Sequence, residues 1–145
     1  MIIFRITALT DEVVEAFARL IPQLKLSLPP LSREGLARLL ASDASVLLAA
    51  RYPDERAPIV GLLTLIVYRV PTGVHARIED VVVDETMRGQ GIGEALVRRA
   101  LHMAQEAGAD GAALTSNPKR AAANRLYQRL GFKRWETNLY FYEFG

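Results

Sequence analysis

A chain of 145 residues, 50% of them hydrophobic, is long enough to form one domain, residues 1–145, with a core of its own. Its formal net charge of +2 is too small to argue for a nucleic-acid partner, even with an isoelectric point near 9.1. The absence of cysteine excludes disulfides, thiolate metal sites and a cysteine nucleophile.

The amino end, Met1-Ile2-Ile3-Phe4-Arg5, lacks the basic start and long apolar segment of a signal peptide. No apolar run approaches the ~20 residues of a membrane span, so a cytoplasmic domain with no membrane partner is expected. Ile2 to Thr7 alternates weakly and reads as a first strand. Thr10 is placed to cap a helix whose apolar stripe is Val13, Phe17, Leu20, Ile21 and Leu24. Leu26-Ser27-Leu28-Pro29-Pro30-Leu31 cannot be helix interior, because each proline removes a donor and restricts the residue before it. Ser32 caps a second, short helix through Leu36, Leu39 and Leu40.

Ser45 to Arg51 and Ile59 to Arg69 are β-rich runs joined by Tyr52-Pro53-Asp54-Glu55-Arg56, a hairpin signal. After the turn Pro71-Thr72-Gly73, Ala76 to Val83 reads as the fourth strand. A long helix follows, with Ile92, Leu96, Ala100, Met103, Ala104 and Ala107 on one stripe and Gly108 at its end. Ala112 to Ser116 is a short strand, and Arg120 to Leu130 a last helix stopped by Gly131. Phe132 to Trp135 and Leu139 to Phe144 read as two closing strands. There is no repeat, low-complexity segment or linker, and the element order defines a mixed α/β domain.

The most informative stretch is Arg88-Gly89-Gln90-Gly91-Ile92-Gly93, between a strand and a helix. Such a turn aims several free backbone N–H groups at one point, and the helix macrodipole adds partial positive charge there. Glycine permits the backbone angles and the close approach of an anion. The spacing G-x-G-x-G departs from the Rossmann fingerprint G-x-G-x-x-G, and no acid closes the following strand. A P-loop would need Lys-Ser/Thr after its last glycine, where this chain has Glu94-Ala95. The pyrophosphate of coenzyme A remains, alongside a turn that serves only packing.

Arg88-x-x-Gly91-x-Gly93 after Ile78-Glu79-Asp80-Val81-Val82-Val83 resembles the acetyl-CoA motif of the GNAT superfamily of N-acetyltransferases. Ala123-Asn124-Arg125-Leu126-Tyr127-Gln128-Arg129-Leu130-Gly131-Phe132 resembles that family's second signature, and the element order agrees over the whole chain. The resemblance implies a mostly antiparallel, splayed β-sheet flanked by helices, with acetyl-CoA as cosubstrate. Two departures stand out. Many members have proline where Glu85 stands, and many carry an asparagine where this chain has Arg120. Asn117 and Asn124 would then share that coenzyme-binding role.

The resemblance further implies direct attack of an amine on the thioester. An alkyl ammonium with pKa near 10.4 must lose its proton, at a cost of ~4.6 kcal/mol at pH 7. Glu79 is the candidate base, through water. On a regular strand it would share a face with Val81 and Val83, while Asp80 points away. The bland alternative is that Glu79 merely balances Arg77. The family's oxyanion contact is a backbone N–H, matched here by Val81, and Val83 would pair with the pantetheine arm. Cofactor contacts are thus expected from Val81, Val82, Val83, Arg88, Gly89, Gln90, Gly91, Ile92, Gly93, Asn117, Asn124 and Tyr127.

Tyr127 is the candidate general acid for the leaving thiolate, since a tyrosine stays protonated at neutral pH. It is expected one helical step off the stripe Ala122, Leu126, Leu130, at the edge of the core. His102 is expected on the surface. His75 has no second histidine or acid cluster beside it, so no metal is expected. Lys119, Arg120 and Arg125 could meet the ribose phosphate, though a solvated helix face explains them as well. The substrate wall is expected from Leu24 to Ser32 and from Trp135 to Asn138, with Lys25 and Arg33 favouring an anionic or hydrophobic group on the substrate. Trp135, Tyr140, Phe141, Tyr142 and Phe144 are expected to cover the sheet or a subunit interface, with a homodimer the expected assembly. The acceptor is expected to be a small-molecule primary amine. A protein N-terminus or lysine is the alternative substrate, and a non-catalytic acyl-CoA-binding regulatory domain the alternative role.

Overall fold

Side-chain oxygens start the first two helices. Thr10 Oγ1 accepts from the Val13 N–H at 3.2 Å and opens α1, Asp11–Leu20. Ser32 Oγ accepts from the Gly35 N–H at 3.0 Å and opens α2, Arg33–Ala41. Each cap satisfies a donor that the helix itself cannot. The computed structural model describes residues 1–24 and 29–145, in two units, Met1–Thr115 and Ser116–Gly145. Lys25, Leu26 and Leu28, which belong to the expected substrate wall, lie outside the described residues.

The first unit holds a sheet in the order β1-β2-β3-β4-β5. Its strands are β1 Ile2–Arg5, β2 Ser45–Arg51, β3 Ile59–Val70, β4 Gly73–Val83 and β5 Ala112–Ala113. The first three pairings are antiparallel and the β4–β5 pairing is parallel. This is the mixed, mostly antiparallel α/β sheet expected. β5 stops at Ala113 rather than Ser116, and β4 starts three residues earlier than Ala76.

Strand alternation sorts the two faces. Leu47, Ala49, Leu62 and Val82 form one buried cluster with Val13, Phe17 and Leu20 of α1 and Leu36 of α2. On the opposite face, a Cβ added to Gly61 would meet Leu96 and Ile92 at 3.0 and 3.1 Å. Those side chains belong to α3, Ile92–Glu106, whose buried stripe is Ile92, Leu96, Val97, Ala100 and Ala104. The sheet is therefore covered on both faces within the first unit. Gly108, at φ +91°, follows α3 as expected of a helix stop.

The second unit contains α4, Ala121–Arg129, with Gly131 at φ +102° beyond it. The two strands expected after it, Phe132–Trp135 and Leu139–Phe144, do not form. β-propensity supplies no ladder by itself, and no strand lies among the residues of this unit to pair with the tail. Trp135, Tyr140, Phe141, Tyr142 and Phe144 lie 80–91% exposed, so the expectation that they cover a sheet is not met.

Candidate active site

The glycine turn is built from β4 outward. Past Val83, Asp84 accepts from the Thr86 N–H at 3.1 Å and caps a 3-10 turn, Glu85–Met87. Arg19 of α1 reaches the other carboxylate oxygen of Asp84 at 3.1 Å and the Ile59 carbonyl at 2.8 Å. The Thr86 N–H bond, with help from Arg19, holds the Asp84 carboxyl below its ordinary range, although burial opposes it. Glu85, the expected departure from a proline in the resembled motif, donates its N–H to Gln23 Oε1 at 2.9 Å. A proline has no such donor, so at this position the departure adds a bond.

Gly89 and Gly91 then adopt φ +82° and +78°, and no atom lies within 4 Å of a Cβ built on either. Gly91 is the N-cap of α3 and supplies no capping side chain. The first-turn N–H groups of α3 thus depend on something other than a side chain of the cap, in a turn whose glycines offer close approach. That arrangement fits an anion such as a pyrophosphate. Gly93 lies in the first turn of α3, and the Ile92 side chain is 1% exposed, a core anchor that can offer a ligand only its main chain. Tyr52, from the β2–β3 connection, donates its hydroxyl to Gln90 Oε1 at 3.1 Å. Nothing in the residue pattern pointed to that brace.

β4 is released on one edge. It pairs with β5 only at Ala76–Ala112 and Arg77–Ala113, and among the described residues no strand continues along Ile78 to Val83 on that side. Its register with β3 also shifts, from Thr64–Glu79 to Leu62–Val82, leaving Asp80 and Val81 without partners. Asp80 takes φ +53°, the left-handed conformation of a bulge residue. Partial desolvation, then the neighbouring Glu79 charge, raises the Asp80 carboxyl above its ordinary value.

The bulge corrects the expected facing of Glu79. Across the ladder Glu79 lies beside Thr64 and Val82 beside Leu62, so Glu79 shares its face with Val82, not with Val81 and Val83. Arg77 Nε donates to Glu79 Oε1 at 3.1 Å, so the carboxylate does balance an arginine. His75 lies inside β4, and its Nε2 is 3.1 Å from Thr72 Oγ1.

In the second unit, Tyr127 is the buried side chain of α4, 7% exposed, with its ring edge-on to Phe132 at 5.7 Å between centroids. The expected stripe is displaced, since Ala122 is exposed and Leu126 only half-buried. Burial pushes the Tyr127 hydroxyl upward, against a weaker opposite pull from Arg120. Asn124 Nδ2 donates to the carbonyls of Asn117 and Arg120, both at 2.9 Å, and Asn117 Oδ1 accepts from the Lys119 N–H at 2.9 Å. The two asparagines are brought together, as donors and acceptors that shape the turn before α4. Lys119, Arg120 and Arg125 are exposed.

The remaining expectations divide. Arg33 is ion-paired with Asp11, and Trp135 to Asn138 is exposed. His102 lies on the surface, 2.9 Å from Glu106 one turn on. A groove of about 230 Å³ lined by Leu101, Gln105, Asp110 and Gly111 lies toward the C-terminal end of α3, away from the glycine turn. Among the described residues no group of three His, Cys, Asp or Glu could hold a metal, and no helix is long and apolar enough to cross a membrane.

The profile of the acetyltransferase (GNAT) family matches residues 9–132. The chain belongs to that family. It is 44% identical over 57 residues to an aminoalkylphosphonate N-acetyltransferase of Salmonella typhimurium, a match spanning 39% of this chain and 37% of that protein. An acetyltransferase structure from Trypanosoma brucei superposes with a TM-score of 0.77 at 25% identity, over 98% of this chain and 99% of that one. An aminoglycoside acetyltransferase from an uncultured soil metagenomic sample shares the fold, with a TM-score of 0.80 at 24% identity, over 99% of this chain and 95% of that one.

Proposed function

We propose that the protein is a cytoplasmic N-acetyltransferase that moves the acetyl group of acetyl-CoA directly to the primary amine of a small molecule. The observation that carries the reading is the pairing, in one unit, of a left-handed glycine turn at a helix start with a β4 edge released beyond Arg77. The local likeness to an aminoalkylphosphonate N-acetyltransferase supports a small acceptor.

When bound, the coenzyme supplies an acetyl thioester, and the chain supplies the rest. The N–H groups from Gly89 to Gly93, with Arg88 beside them, hold the pyrophosphate, and Asn117 and Asn124 keep the turn before α4 in shape. The main chain of Val82 and Val83 offers strand-like hydrogen bonds to the pantetheine arm. Val81, outside the β3 register at the bulge, offers its N–H to the thioester oxygen as negative charge builds there, a role supported by the shift in register. Glu79 takes a proton from the substrate ammonium, directly or through water. The freed nitrogen forms the C–N bond, the C–S bond breaks, and the nitrogen sheds its second proton to solvent. Tyr127, protonated well above neutral pH, donates to the departing sulfur and regains a proton from solvent. One ammonium and one thioester become one amide, one thiol and one released proton.

Thiol release from acetyl-CoA in the presence of a panel of small amines tests the reading. Amine-dependent release with acetylated amine as product is the expected result. Coenzyme binding with no release above background for any amine contradicts it, and leaves a coenzyme-binding module.

A further inference from the structure

The α1 and α2 face of the sheet changes character along β3 and β4. Leu62 and Val82 are buried in the apolar cluster under the helices. One ladder step on, Thr64, Ile66 and Tyr68 are each half-buried. Opposite them on β4 stand Glu79, Arg77 and His75 in that order, at the register pairs Thr64–Glu79, Ile66–Arg77 and Tyr68–His75. The face thus carries a row of carboxylate, guanidinium and imidazole beside an apolar floor. Ring contact between Tyr68 and His75, 5.6 Å between centroids, and the His75–Thr72 contact at 3.1 Å brace its far end.

We propose that this row selects acceptor amines that also carry an anionic group, a phosphonate or a carboxylate, on a short alkyl linker. Glu79 receives the ammonium and Arg77 the anion. The inference rests on the amine-acetyltransferase reading above and names its substrate class. The Arg77–Glu79 bond is 3.1 Å long, with the two side chains 34% and 43% exposed. A pair that open to water contributes little to stability, so a zwitterion can part it and satisfy both charges again. Alternate residues of one strand stand roughly 6.6 Å apart, which gives each head room to hold its own partner while the substrate spans them. A guanidinium adds two parallel donors matched to phosphonate or carboxylate oxygens. Of the two basic groups expected to favour an anion, Arg33 is already paired with Asp11 and Lys25 lies outside the described residues. A plain alkylamine would take Glu79 from Arg77 and return nothing to the guanidinium.

The test compares 2-aminoethylphosphonate and β-alanine with propylamine as acceptors, by thiol release. The wild-type protein is expected to favour the zwitterions in kcat/KM by about tenfold or more, the scale of one good charge-assisted contact. Arg77→Gln should collapse that preference, chiefly through KM, and Arg77→Lys should restore part of it. An unchanged melting temperature in both variants separates this from a folding defect. Equal use of propylamine by the wild type, or a preference that Arg77→Gln leaves unmoved, overturns the inference and leaves acetyl transfer standing. Acetylation of no amine at all overturns both.

Discussion

Asp80 shows how one residue can set the chemistry of a strand. A non-glycine residue at φ +53° stores strain, which aspartate bears better than β-branched neighbours can. The strain is tied to the bulge, and the bulge is what takes Asp80 and Val81 out of the ladder and turns Glu79 toward Thr64. Asp80→Gly should therefore keep the fold and the bulge, whereas Asp80→Val should lose about 1–3 kcal/mol, measured by denaturant unfolding. Equal stability of the two variants would mean that the left-handed conformation is not needed. Little of this was legible beforehand. Ile78 to Val83 reads as an unbroken strand by its β-branched residues, and Asp80, a type that tolerates the left-handed region, is the one residue in it that could have marked a bulge. Tyr127 was legible by its place in the second motif. The alanines and leucines of α4 predict a stripe beside Tyr127 and place it at the core's edge, whereas the buried side chain of the helix is this amphipathic residue itself.

At the scale of elements, the caps, helix stops and hairpins followed from local chemistry. Thr10, Ser32, Gly108 and Gly131 act as their residue types dictate. The last two strands failed because a strand exists only with a partner, and pairing is not written in the strand's own residues. The junction of β4 and α3 yields two tests. Asp84 has a folded pKa below its unfolded value, so its contribution is complete above about pH 4 and is lost as pH falls through the lower folded value. Asp84→Ala should cost about 1 kcal/mol near neutrality, and the gap in melting temperature to wild type should close below about pH 4. A gap that persists at low pH would rule out the charge-linked cap. Gly91→Ala places a Cβ at φ +78° in open space. It should strain the turn rather than clash, and weaken acetyl-CoA binding in calorimetry; unaltered affinity would count against the turn as the anion site.

For the whole molecule, family membership was visible in two short motifs, while the acceptor was not. The proposed coenzyme contacts rest largely on main-chain groups at fixed spacing, which a sequence displays. The proposed acceptor contacts depend on which side chains share a face, and the bulge in β4 sets that for Glu79. The exposed aromatic tail from Trp135 to Phe144 presents an apolar surface of the kind that association buries, in keeping with the homodimer expected from the sequence. Light scattering should give twice the chain mass, falling to one on charge-bearing substitution of Tyr140 and Tyr142; a wild-type monomer would contradict the assembly. The central claim is that this chain transfers an acetyl group with Tyr127 as the proton donor. It is tested most directly by measuring kcat for thiol release and the Kd for acetyl-CoA in parallel for wild type and Tyr127→Phe. The account predicts an unchanged Kd and a kcat lowered by roughly 10²–10⁴; an unchanged kcat would contradict it.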